Sequence, residues 1–172
     1  MNCNDTRPDF VDATFFLGMH DNDPDRRMQS LDLFSRMQMR SLHMSLEQVG
    51  LCDDVIWHRS RQEQDAYYPF MDNLHTLMRI ERIGYTRGDL SLALKDPRVR
   101  HLPPSQACTI AQVINCNGKL HTHDPQLLQD SSFHPWLAPV SLQPPLPFPA
   151  PLDGLYQDSL CLTLALQESR YV

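Results

Sequence analysis

The stretch FVDATFFLGM, residues 10 to 19, decides how this chain folds. It is short, apolar and rich in β-branched and aromatic residues, with Pro8 before it and the turn-forming HDNDPD (20–25) after it. Such a run, bounded by breakers, reads as a strand buried on both faces, as at the centre of a parallel sheet. Asp12 breaks the pattern. A carboxylate inside such a strand costs several kcal/mol unless it is paired, hydrogen-bonded or bound to a cation, which makes Asp12 a candidate functional residue.

Working outward, NDPDRRMQSLDLFSRMQMR (22–40) has Pro24 in its first turn and Met28, Leu31, Phe34 and Met37 at helical spacing. These mark an amphipathic helix. SLHMS (41–45) is a short strand, and Ser45 followed three residues later by Gln48 resembles a capping box opening a helix over 46–65. On that helix Leu46, Val49, Ile56 and Ser60 share a face with Asp53, which would point inward, while Glu47, Asp54 and His58 form a neighbouring stripe. Either stripe can deliver an acid to a central cleft or lie in solvent. A further helix follows YYPF over 71–83, with His75 read as a packed or surface histidine.

Next come the strand RIERIGY (79–85), the helix TRGDLSLALKD (86–96), a proline break at HLPPS, the helix SQACTIAQVINCNG (105–118) and the strand KLHTHD (119–124). Gly118 stands where a helix stop belongs. Helices alternating with strands predict a three-layer α/β/α fold around a central, mostly parallel sheet. In KLHTHD, strand alternation puts His121 and His123 on one side and Leu120, Thr122 and Asp124 on the other.

The length of 172 residues and 41% apolar composition suit one domain of ordinary size. Seven of the fourteen prolines fall between Pro135 and Pro151, so residues 131–172 are expected to be an extended segment packed on a 1–130 domain, ending in an edge strand or a short helix. A formal charge of −6 disfavours non-specific attraction to nucleic acid or an anionic membrane. The thirteen arginines against two lysines, Lys95 and Lys119, fit either phosphate contacts or codon bias. Five scattered cysteines without CxxC spacing fit reduced, mostly buried thiols. With a polar N-terminus and no apolar run of membrane-spanning length, they predict a cytoplasmic chain with no membrane contact. There is no GxGxxG, P-loop, GxSxG or HExxH.

FVDATFFLGM and INCNGKLHTHDPQLL together resemble the PIN-domain family (PilT N-terminus), the metal-dependent ribonuclease fold of many toxin–antitoxin toxins. The first matches the family's opening apolar-apolar-Asp-Ala/Thr strand, and the second matches its helix followed by Gly-x-x-Leu-x-Thr-x-Asp. The intervening IERIGYTRGDLSLALKDPRVRHLPPSQACTIAQVI is similar to the strand, helix and loop between them, so the resemblance spans roughly residues 9 to 128. It implies carboxylates converging at the C-terminal edge of the sheet around Mg²⁺ or Mn²⁺, with Asp12 as first acid and Asp124 as last. The second acid falls to Glu47 or Asp53. The third position departs from the pattern: Gln106, with Ser105 and Ala107 beside it, stands where an aspartate is expected, which weakens metal affinity or removes activity.

Three functions follow as expectations. The first is a metal-dependent ribonuclease cleaving single-stranded RNA through Asp12, Glu47 or Asp53, and Asp124, with Thr122, Gln106, His121 and His123 in auxiliary places. The second is an inactive PIN-like binding or regulatory protein with a protein partner or a second copy of itself. The third is a transition-metal protein using His121 and His123, with His20, His43, Glu47 or Cys116 recruited to reach the three or four ligands that zinc requires.

Overall fold

The computed structural model describes residues 7–37, 41–140 and 143–166. Four strands, β1 (Asp9–Val11), β2 (Leu42–Ser45), β3 (Ile80–Ile83) and β4 (Lys119–His121), form one sheet in the order β3-β2-β1-β4, and every pairing is parallel. Helices cover both faces, giving the three-layer α/β/α architecture.

Side-chain alternation sorts the core into two halves. Val11, Leu42, Met44 and Ile80 face a cluster built with α1 (Ala13–Leu17), α2 (Pro24–Arg36), α3 (Leu46–Trp57) and α4 (Arg61–Leu77). Phe10 and Leu120 face the other, built with α5 (Arg87–Lys95) and α6 (Pro104–Asn115).

The run at 10–19 is not one strand. β1 ends at Val11, Asp12 becomes an N-cap whose carboxylate accepts from the Phe15 N–H, and Ala13–Leu17 form a helix buried on every side. A continuous apolar run has no periodicity to separate a buried strand from a buried helix, so the cap decides.

The single helix expected over 46–65 is two. α3 stops at Trp57, and Ser60 opens α4 with a full capping box to Glu63. α4 then runs through YYPF, with Pro69 inside it, to Leu77. His75 is buried against Phe16 and accepts from Arg82. The inward stripe of α3 is Gln48, Cys52 and Ile56; of the stripe expected to carry Asp53 only Ile56 is buried, and Val49 and Asp53 lie at its edge.

At the end of α6 the left-handed residue is Asn117 (φ 50°), and Gly118 serves close packing instead. A Cβ on Gly118 would lie 2.6 Å from the Phe10 ring.

The proline-rich segment shares the domain's core. Arg36 donates to Pro144 O, Leu146 N–H donates to Ser35 Oγ, and Phe148 is buried. The chain then forms α8 (Ala150–Ser159), which packs on α4. His20, ringed by Tyr67, Phe70 and Tyr156, joins Ser159 Oγ through Nε2 at 2.8 Å. Burial lowers its pKa to about 3, so the clamp is neutral. Of the two readings of the C-terminal piece, edge strand or short helix, the described residues give the helix, followed by one parallel bridge, Leu164 to Asp21; residues 167–172 lie outside the described residues.

Of the cysteines, Cys52 is buried, Cys108 half-buried and Cys116 and Cys161 exposed, so burial is less general than expected; Cys3 lies outside the described residues. No helix among the described residues is long and apolar enough to cross a membrane.

Gly118→Ala forces the Phe10 ring out of its place between β1 and α6. Urea unfolding is expected to show a loss of about 1–3 kcal/mol; an unchanged midpoint would contradict the close packing.

Candidate functional site

The strand order places a switch point between β1 and β4. From β1 the chain builds outward to β2 and β3, then returns to β1's other side with β4. In open α/β sheets the crevice beyond the strands' C-terminal ends at such a point is where ligands bind. Asp12 directly follows β1 and Asp124 lies three residues beyond β4. Both line one cleft of about 210 Å³ with Thr14, Gln48, Ser105, Gln106 and Thr109.

Asp12 is 4% exposed. Its Oδ1 accepts from Thr14 Oγ1 at 2.6 Å and from the Phe15 N–H at 3.0 Å. Thr14 Oγ1 in turn accepts from the His123 N–H at 2.8 Å and lies 3.3 Å from Thr122 Oγ1, which accepts from the Asp124 N–H. A chain of hydroxyls thus ties the start of α1 to the exit of β4. Burial raises the Asp12 pKa to about 6; the Thr122 and Thr14 hydroxyls and the Phe15 N–H oppose the rise, and the Asp124 charge adds to it.

Asp124 caps α7 (Pro125–Gln129), its Oδ1 accepting from the Gln126 N–H at 2.8 Å and the Leu127 N–H at 3.4 Å. Gln106 Nε2 donates to the other oxygen, Oδ2. Burial raises the Asp124 pKa, and these three donors hold it back.

Gln48, not its neighbour Glu47, faces the cleft. Its Oε1 accepts from the Ala13 N–H at 2.8 Å, and its Nε2 donates to Ser105 Oγ and Thr109 Oγ1. Only half of the expected capping box forms: Ser45 Oγ accepts from the Gln48 N–H, while the Gln48 side chain turns into the cleft. Glu47 is exposed and accepts from the Tyr85 hydroxyl at 2.7 Å; that hydroxyl also meets Ser45 and Thr109. Asp53 stands away from the cleft, beside Gly50, Asp54, Trp57 and Tyr68 in a shallow surface recess. Partial burial raises its pKa, Arg82 lowers it and Asp72 raises it.

His121 and His123 do share one side, but each is engaged. His121 Nε2 lies 3.0 Å from Asp9 Oδ1, and His123 Nε2 lies 2.9 Å from Ser30 Oγ with its ring stacked on Phe15 at 4.5 Å. Burial first, then Arg26, lowers the His123 pKa to about 4. A second recess of about 250 Å³, lined by His121, Phe15, Asp32, Arg36 and the 138–140 segment, lies beyond β4 and is mostly apolar.

Among the described residues no three His, Cys, Asp or Glu side chains stand together as a metal-binding group. The cleft's oxygens nonetheless suit a hard cation, which one or two carboxylates and several waters can hold. Asp12 and Asp124 supply the carboxylates, and Gln106 Oε1 is buried without a hydrogen-bond partner.

The chain has the architecture of an α/β protein with its crevice at a parallel-sheet switch point. It belongs to the family of unknown function DUF6190, which it matches over residues 1–169. Neither a curated protein nor a solved structure matches it.

Of the residues expected from the sequence, the cleft brings together Asp12, Gln106 with its neighbour Ser105, and Asp124, with Thr122 hydrogen-bonded behind them; Gln48, Thr14, Thr109 and Tyr85 were not expected there. Thr14, two residues after Asp12, was the one with a local signal.

Asp12 titrates near 6 folded against an ordinary 3.8, so the folded state holds its proton more tightly than the unfolded chain does. Stability therefore falls as pH rises from about 4 to 6 and bears the whole cost above 6, ~3 kcal/mol. Asp12→Asn keeps an acceptor for Thr14 and Phe15. It is expected to be more stable than wild type by about 1–3 kcal/mol at pH 7.5, with the gap closing below pH 4. Denaturant melts across that range check the sign; a destabilised variant at pH 7.5 would refute it.

Proposed function

We propose that this protein is a PIN-like, Mg²⁺- or Mn²⁺-dependent ribonuclease that cleaves single-stranded RNA in the cleft between β1 and β4. The supporting observation is the convergence of Asp12 and Asp124 at the switch point of the sheet. Asp12, Asp124 and Gln106 Oε1 would hold the cation. When bound, it supplies charge neutralisation at the phosphodiester and an activated water.

The chain's own residues prepare the place. Burial makes the Asp12 carboxylate costly to ionise, so a positive charge there is strongly favoured. The Thr14–Thr122 pair fixes the separation of β1 and β4 at the cleft floor. Gln48 holds the first N–H of α1 and donates to Ser105 Oγ, leaving the Ser105 hydroxyl proton to meet a phosphate oxygen. Glu47 acts at one remove, through Tyr85 and Thr109, and Asp53 has no place in the cleft.

A second reading, a PIN-like binding or regulatory protein without catalysis, is favoured by one observation: amides, Gln48 and Gln106, face the two aspartates. Four carboxylates would require a cation to coexist; two carboxylates with an amide donating into one of them are satisfied in large part by the protein itself.

Purified protein incubated with labelled single-stranded RNAs, with Mn²⁺ or with chelator, separates the two. The nuclease reading expects Mn²⁺-dependent cleavage that falls by at least about 100-fold in Asp12→Asn, a direct-ligand loss exceeding outer-shell effects. Cleavage unaffected by Asp12→Asn, or none at saturating Mn²⁺, overturns it, and the latter leaves the binding protein.

A further inference from the structure

Gln106 sits in the first turn of α6 and faces Asp124 across the cleft. Its two ends are unequally satisfied. Nε2 donates to Asp124 Oδ2, while Oε1 is buried and without a hydrogen-bond partner. A buried acceptor left unmet forfeits the hydrogen bond it would make in water. The opposite amide orientation would set Oε1 against the carboxylate, two acceptors facing each other, and is worse still unless positive charge lies between them. The N–H groups of Gln126 and Leu127 hold the other oxygen of Asp124, so Gln106 is the group whose orientation can change.

We propose that Gln106 is a built-in counter-group of the cleft: its amide N–H holds Asp124 while no cation is present, and the amide turns over to offer Oε1 as a third oxygen ligand when a divalent cation enters. The proposal rests on the cleft being a cation site, as the nuclease reading requires, and adds that Gln106 sets the affinity. A glutamine there makes binding weak and reversible, because the cation must displace an existing hydrogen bond and gains a neutral ligand in return. A carboxylate at 106 has no hydrogen to give Asp124 and adds a negative charge facing two others.

Gln106→Glu is therefore expected to bind Mn²⁺ at least about tenfold more tightly than wild type, from the added charge at contact range. Electron paramagnetic resonance of free Mn²⁺ reads this without any activity. The variant should also melt at a lower temperature than wild type in chelator and regain that loss with Mn²⁺. Gln157→Glu, an equal change of net charge on the exposed face of α8, should leave affinity unchanged.

Wild type silent to Mn²⁺ across the titration, even with tight binding by Gln106→Glu, overturns both the turn-over of the amide and the cation-dependent function of the natural chain, whereas wild type that binds Mn²⁺ while Gln106→Glu binds no tighter overturns the proposal alone. Gln106→Glu no tighter than Gln157→Glu overturns it as well. Should Gln106→Glu not fold, wild-type protein labelled with ¹⁵N in its glutamine side chains answers the question, with Gln106→Ala assigning the resonance. The Gln106 amide signal is expected to move as Mg²⁺ is added, and a fixed Gln106 signal while its neighbours in the cleft move overturns the proposal.

Discussion

The hydrogen bond from the Phe15 N–H to the Asp12 carboxylate stops β1 after three residues and starts α1. Without that cap the apolar run could continue as a strand; with it, Phe15, Phe16 and Leu17 turn into the core over one face of the sheet. The same carboxylate draws in Thr14, which holds the His123 N–H beyond the end of β4. The freed N–H of Ala13 is met by Gln48 from α3, whose amide reaches Ser105 and Thr109 on α6. One buried acid thus organises two strands and three helices at the edge where a parallel sheet binds its ligands.

The balance of charge in that cleft is uneven. Burial raises both aspartates, and each would be relieved by a cation. The amides opposite them are neutral and already hydrogen-bonded. A cleft with two carboxylates and two amides carries less charge than the resemblance implies, which predicts a weaker cation site and explains why the Gln106–Asp124 contact can form. Glu47 contributes through the Tyr85 hydroxyl, whose pKa burial drives upward, so that this hydroxyl stays a donor at any ordinary pH.

The parallel sheet was legible because the strands alternate with helices that carry their own caps and stops, and Asp12 stood out because a carboxylate does not belong in an apolar run. Thr122 and Asp124 were singled out by the family resemblance of GKLHTHD, and period-two alternation did no more than separate them from His121 and His123. The end of β1 was not legible, since a run apolar on every side fits a buried strand and a buried helix equally. Choosing Gln48 over Glu47 or Asp53 required the rotational phase of α3, a matter of one residue that packing of Cys52 and Ile56 fixes. Tyr85 reaches Glu47 across 38 positions, beyond any local pattern. The helix at 150–159 was obscured by the prolines around it, two of which, Pro149 and Pro151, sit harmlessly at its start.

The central claim is that Asp12 and Asp124 form one cation site at the switch point of the sheet. A crystal of the protein soaked in Mn²⁺, with diffraction recorded at the manganese absorption edge, tests it most directly. The account predicts an anomalous peak between the two carboxylates, within roughly 2.0–2.3 Å of an oxygen of each, the range of hard divalent cations. A peak at His121 and His123 instead, or an aspartate pair with no peak when other sites in the crystal are filled, would contradict it.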